Sequence, residues 1–152
     1  MKKGRTIGLI CSPGGHLVEV LQLLEAFQGH PLFFLTYRET ATLDRKGTYY
    51  YMSNFAKRPV SLIAGFFKIL YIFLKERPGV LFSTGAEIAI PAFYIGKFLF
   101  RTRLIYLECS AQVYHRSLTG RWVYPIADLF LVQWESLLSQ YGPKAKYVGG
   151  LI

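Results

Sequence analysis

At 152 residues the chain has the length of one domain, 1–152, long enough for a genuine core and too short for a second independent fold. Hydrophobic residues make up 52% and charged residues only 18%, which excludes intrinsic disorder, collagen-like repetition and acidic low complexity. Eighteen Lys and Arg against nine Asp and Glu give a net charge of +9, so an anionic partner is expected: nucleic acid, acidic phospholipid or a phosphorylated substrate.

The start, Met1-Lys2-Lys3-Gly4-Arg5, is basic, but the apolar run Ile7 to Cys11 is too short for a signal-peptide core, so no export is expected. Short β-rich apolar runs predict strands over Thr6–Cys11, Leu32–Thr36, Tyr49–Met52, Val80–Ser83, Arg103–Leu107 and Leu129–Val132, with a further short one at Ala145–Val148. Helical patterns fall between them, over Leu17–Phe27, Pro59–Lys75, Ile88–Phe100, part of Leu118–Ile126, and Glu135–Tyr141. This alternation predicts an α/β fold, a doubly wound parallel sheet of Rossmann-like type. The chain stops after Gly149-Gly150-Leu151-Ile152 without a closing helix, which predicts one half of a larger arrangement with its cleft shared. Cys11 and Cys109 stand far apart without CxxC spacing, so neither a disulfide framework nor a metal site is expected and the default compartment is reducing.

The longest apolar stretch, Val60 to Leu74, is 15 residues interrupted by Lys68, short of the roughly 20 a spanning helix needs. Ser61, Lys68 and Lys75 recur every seven residues as a narrow polar stripe, leaving Phe66, Phe67, Leu70, Phe73 and Leu74 on the rest of the helix. Between Lys57 and Arg103 eight cations (Lys57, Arg58, Lys68, Lys75, Arg77, Lys97, Arg101, Arg103) face two acids, Glu76 and Glu87. Aromatics flanked by cations suit an anionic membrane surface, with Phe66, Phe67, Lys68, Phe73, Lys75, Lys97 and Arg101 as the contact residues. The competing reading is that these helices merely cover the sheet. Nucleic acid is not expected, because the cations alternate with bulky aliphatics and no nucleic-acid module is visible.

Candidate chemistry gathers at the carboxyl ends of the strands, which converge on one crevice in a parallel sheet. The first strand runs into Ser12-Pro13-Gly14-Gly15-His16, either a tight turn or a glycine loop presenting N–H groups to an anion. His16 can pass a proton or touch a phosphate there, or simply cap a helix. The pattern is neither GxGxxG nor a Walker loop, which disfavours a self-sufficient nucleotide-binding protein. The fourth strand ends in Ser83-Thr84-Gly85-Ala86-Glu87, where Glu87 serves either a helix dipole or catalysis. The fifth ends in Glu108-Cys109-Ser110, with Arg116 and Ser117 beyond, and the sixth in Gln133-Trp134, a pair suited to core, partner contact or sugar stacking.

In order and spacing these segments resemble a known family. Ser12 to Glu19, Ser83-Thr84-Gly85 leading to Pro91, Tyr106 to Ser110, Ser117 to Gly120, Ala127-Asp128 through Trp134, and Tyr141 with the Tyr147 to Leu151 ending carry the match over nearly the whole chain. The family is the acceptor-binding, membrane-associated subunit of the two-subunit N-acetylglucosaminyltransferase of dolichol-linked oligosaccharide synthesis, with its bacterial capsule and exopolysaccharide counterparts. The resemblance implies the N-terminal half of a GT-B glycosyltransferase, similar to the acceptor domain of the lipid II-forming enzyme. It also implies a second polypeptide carrying the UDP-sugar, a polyprenyl-diphosphate-linked saccharide as acceptor, no cofactor on this chain, and peripheral attachment at the cytoplasmic membrane face.

By that analogy His16 or Glu108 is the base of an inverting transfer. Ser12, Gly14, Gly15, Thr84, Gly85, Glu87 and Arg116 then bind acceptor, and Gln133, Trp134, Gly149 and Leu151 face the partner. The alternative is a non-catalytic scaffold that recruits or activates a partner transferase. Two departures stand out: eukaryotic members carry an N-terminal anchor before the first strand, and Pro13 removes one N–H from the loop.

Overall fold

The computed structural model of the chain describes residues 5–38, 47–53 and 59–151, with the side chains of 59–61 excluded. Lys57, Arg58 and the Ser61 side chain, which entered the cationic window and the polar stripe, therefore lie outside the described residues. The strands are β1 (Ile7–Ile10), β2 (Leu32–Tyr37), β3 (Thr48–Met52), β4 (Val80–Ser83), β5 (Arg103–Leu107), β6 (Leu129–Val132) and β7 (Ala145–Tyr147). The helices are α1 (Gly15–Gln22), α2 (Pro59–Glu76), α3 (Ala89–Phe100), α4 (Leu118–Val123) and α5 (Ser136–Tyr141). All neighbouring strands pair in parallel, in the order β3-β2-β1-β4-β5-β6-β7.

The strand order reverses direction between β1 and β4, and ligands of such sheets bind beyond the strand ends at this switch point. β1 lies there, flanked on both sides, and all four of its residues are buried, as an interior parallel strand requires. Alternation along the strands builds two cores. Phe33, Leu35 and Leu81 face the side covered by α2 to α5, whereas Leu9, Phe34 and Phe82 face the side covered by α1.

The helix expected over Leu17–Phe27 is broken in two. α1 ends at Gln22, the Leu23 N–H bonds back to the Val20 carbonyl, and a separate 3-10 turn covers Leu24–Phe27. α2 buries only a narrow arc, with Ile69, Ile72 and Phe73 inside. Phe73 is therefore removed from the membrane-contact group: it is 0% exposed and lies edge-on to Phe33 and Phe100 at 6.3 and 5.7 Å. Leu62, Ile63, Phe66, Phe67, Tyr71 and Leu74 remain exposed, Phe67 at 62%. Lys68 and Lys75 are exposed beside them. Phe98 and Leu99 near the end of α3 and Trp122 of α4 add to the exposed apolar surface on this side of the sheet. No described helix is long and apolar enough to cross a membrane.

Candidate active site at the switch point

The turn after β1 delivers His16 into the gap between the β1 and β4 loops. Gly14 precedes α1 at φ +92°, and no side chain caps that helix, which leaves its first N–H groups without a side-chain acceptor. Gly14 and Gly15 are exposed and Ser12 is half-buried. Two contacts from the β4 loop fix the histidine. Thr84 Oγ1 donates to the His16 carbonyl at 2.8 Å. Gly85, at φ +133°, lies flat against the imidazole, so that a Cβ there would stand 2.5 Å from His16 Cε1. Thr84 is itself fully buried, so it holds His16 rather than reaching an acceptor, which corrects its expected binding role.

Glu19, one turn along α1, carries part of the family resemblance but had no expected role in the site, because an acid three residues after a helical histidine reads as solvated. It is buried, with Oε2 at 4.0 Å from His16 Nδ1. Its Oε1 accepts from the Ser110 N–H at 2.8 Å and from Gln133 Nε2 at 3.1 Å. Gln133 is buried as well, its Nε2 also donating to the Glu108 carbonyl and its Oε1 accepting from the Leu151 N–H, both within 3.1 Å. This corrects the partner-facing role expected for Gln133. Leu151 is likewise docked on the chain's own second core. Trp134 stays partly exposed, its indole N–H donating to the Ser110 carbonyl at 2.7 Å, and Gly149 is exposed.

Glu108 cannot serve as a base that touches substrate. It is 0% exposed, and its carboxylate accepts from the Cys109 N–H, the Ser117 N–H and hydroxyl, and the Tyr106 and Tyr141 hydroxyls. It is a buried tie between β5, the start of α4 and α5. Burial first, then the Glu108 charge, holds the hydroxyls of Tyr106 and Tyr141 well above the ordinary tyrosine range, so both act as donors. Ser117 caps α4 by accepting from the Gly120 N–H at 2.8 Å. Arg116 is exposed at the same edge, its guanidinium 6.0 Å from the Tyr141 ring centre. Glu87 is exposed on the other flank beside Tyr37, whose hydroxyl is pushed upward by burial and then by that carboxylate.

His16, Glu19 and Cys109 offer ligand atoms within 4.8 Å of one another, a grouping the sequence reading did not foresee. Burial, reinforced by Glu19 and Glu108, holds the Cys109 thiol above its ordinary value. Together the three groups form a polar cluster around the imidazole. His16 is thus held against the β4 loop while staying partly open to solvent.

A family model described as "Oligosaccharide biosynthesis protein Alg14 like" matches residues 50–151. The UDP-N-acetylglucosamine transferase subunit ALG14 of Candida albicans is 42% identical over 85 residues, covering 52% of this chain and 38% of that protein. The protein of the same name from Saccharomyces cerevisiae is 25% identical, covering 99% of this chain and 78% of its own length. Among solved structures, MurG of Acinetobacter baumannii superposes with a TM-score of 0.78 at 14% identity, over 97% of this chain and 46% of that one. The UDP-GlcNAc 2-epimerase of Neisseria meningitidis gives 0.69 at 9% identity, over 93% and 46%. These structural likenesses show the fold alone, a GT-B-type Rossmann half, and the chain spans less than half of the first of the relatives and of both structures. Over most of its length the sequence fits the family model, and the chain belongs to the Alg14-like family of oligosaccharide biosynthesis proteins.

Proposed function

We propose that this chain is the acceptor-side subunit of a two-polypeptide glycosyltransferase, with His16 as the general base. It binds a polyprenyl-diphosphate-linked saccharide at the cytoplasmic membrane face, and a second polypeptide brings the UDP-sugar, UDP-N-acetylglucosamine by analogy with the names of its relatives. The product enters a lipid-linked oligosaccharide, a capsule or an exopolysaccharide. His16 takes the proton of the acceptor hydroxyl as that oxygen forms its bond to the anomeric carbon, and the bond from that carbon to UDP breaks. The uncapped start of α1, with Gly14 and Gly15, receives the acceptor diphosphate. The exposed arc of α2, with Phe66 and Phe67 bordered by Lys68 and Lys75, rests on the anionic bilayer.

The observation that carries this reading is the imidazole lodged on Gly85 at the sheet's switch point, with Nδ1 turned toward Glu19. The test is transfer from UDP-N-acetylglucosamine to a lipid-diphosphate acceptor by the reconstituted pair carrying His16→Ala. General-base removal lowers the rate by about 10²–10⁴-fold. A wild-type rate would take His16 out of the chemistry and favour the scaffold reading. Flotation of the chain with anionic vesicles, weakened by salt, tests the membrane face.

A further inference from the structure

The opposite edge of the sheet, away from His16, carries a second feature. A recess of about 460 Å³ opens at the amino-terminal ends of β1, β4, β5 and β6, lined by Arg5, Lys97, Arg101, Thr102, Arg103 and Asp128. Four cations share it with one acid. That acid is already engaged: Asp128 Oδ1 meets Lys97 Nζ at 2.5 Å, and Oδ2 accepts from the Leu104 N–H at 2.8 Å. Among the described residues no carboxylate pairs with Arg5, Arg101 or Arg103, so three arginines line one concavity without an acidic partner.

The stem of Arg5 has a defined course. Arg5 lays its side-chain stem over Gly79, where even a Cβ would come within 2.9 Å of it, which fixes its course into the recess. Arg101 ends α3 at φ +53°, a left-handed position that glycine fills without strain, and Arg77 ends α2 in the same way at φ +47° on the same edge of the sheet. Planar guanidinium forks match the paired oxygens of a phosphate group.

We propose that this recess binds a phosphate group, carried either by a lipid headgroup or by a soluble phosphorylated molecule. Exposed Phe98 and Leu99 in the last turn of α3 adjoin it, which would suit the first source. The site is independent of the His16 chemistry, and in vesicle assays Arg101→Gly tells it apart from the α2 arc, which that change leaves intact.

The test is titration of the full chain with inorganic phosphate at constant ionic strength maintained by chloride, followed by the amide resonances of residues 101–104. Saturable binding is expected, weakened at least about tenfold by Arg101→Gly, which should melt no lower than the parent because glycine suits that backbone. Arg103→Gln gives the same reading should the glycine variant fold poorly. Absence of saturable binding above chloride, or equal affinity in both variants and the parent, overturns the proposal. Vesicles of phosphatidylcholine and phosphatidylglycerol then identify the source. Vesicle binding lowered both by free phosphate and by Arg101→Gly supports the recess as a headgroup site; phosphate binding with unaffected vesicle binding supports it as a site for a soluble phosphate.

Discussion

Replacing Gly85 with alanine should disable the site through two effects that the geometry separates. The residue sits at φ +133°, where a non-glycine costs about 1–3 kcal/mol. The new Cβ would also stand 2.5, 2.9 and 3.2 Å from Cε1, Nδ1 and Nε2 of His16, so the ring must retreat by roughly 1 Å to reach ordinary contact. For a domain of this size each kcal/mol shifts Tm by about 2–4 °C, so a fall of roughly 2–12 °C is expected from strain alone. A displacement of about 1 Å at a reacting group costs on the order of 10²-fold in rate.

Gly14→Ala and Gly15→Ala are the controls for stability. Neither added Cβ meets anything within 4 Å, and only Gly14, at φ +92°, carries left-handed strain. Thermal unfolding should therefore rank Gly15→Ala above Gly14→Ala and Gly85→Ala, whereas the His16 ring resonances should move most in Gly85→Ala. A Gly85→Ala protein that melts like Gly15→Ala, with unmoved imidazole signals and an unchanged transfer rate in the reconstituted pair, would refute the packing argument.

Phe73→Ala should cost about 3–5 kcal/mol by emptying a core position, while exposed Phe67→Ala should change stability by less than about 0.5 kcal/mol and instead weaken vesicle flotation; equal melting of the two would contradict the assignment of faces. Burial pushes the Cys11 thiol up to about 12 and also raises that of Cys109, so iodoacetamide near neutral pH should label both far more slowly in the native chain than in urea. Burial pulls Asp128 upward, but the Lys97 bond, the Leu104 N–H and the Lys144 charge outweigh it and hold it below its ordinary 3.8. Its contribution to stability is thus present above 3.8 and lost as pH falls through the lower folded value, so melting curves of Asp128→Asn should show less acid sensitivity than those of the parent in that window.

The parallel sheet was legible because strands of four to six residues separated by helical periodicity leave few other arrangements, and all seven expected strands form within two residues of their expected limits. The position of His16, though not its role, was legible for the same reason: a glycine-rich turn after the first strand must open at the carboxyl edge. Glu108 misled because a strand-end acid looks alike whether it faces the crevice or the protein, and only the donors Tyr141 and Ser117, far apart in sequence, reveal which. Phe73 misled for a related reason. A seven-residue stripe says which side of α2 is polar but not how wide an arc the sheet and α3 cover. The role of Glu19 and the inward turn of Gln133 were not legible, because the groups they bond, Ser110 with Glu19 and Glu19 with Gln133, are 91 and 114 residues apart in sequence.

The bonds through Gln133 give the tail of the domain a reach beyond its own neighbourhood. The Leu151 amide holds the glutamine, the glutamine holds Glu19, and Glu19 stands against the ring of His16. The backbone at residue 151 and the imidazole are thus linked by one line of contacts through two buried polar side chains, Gln133 and Glu19.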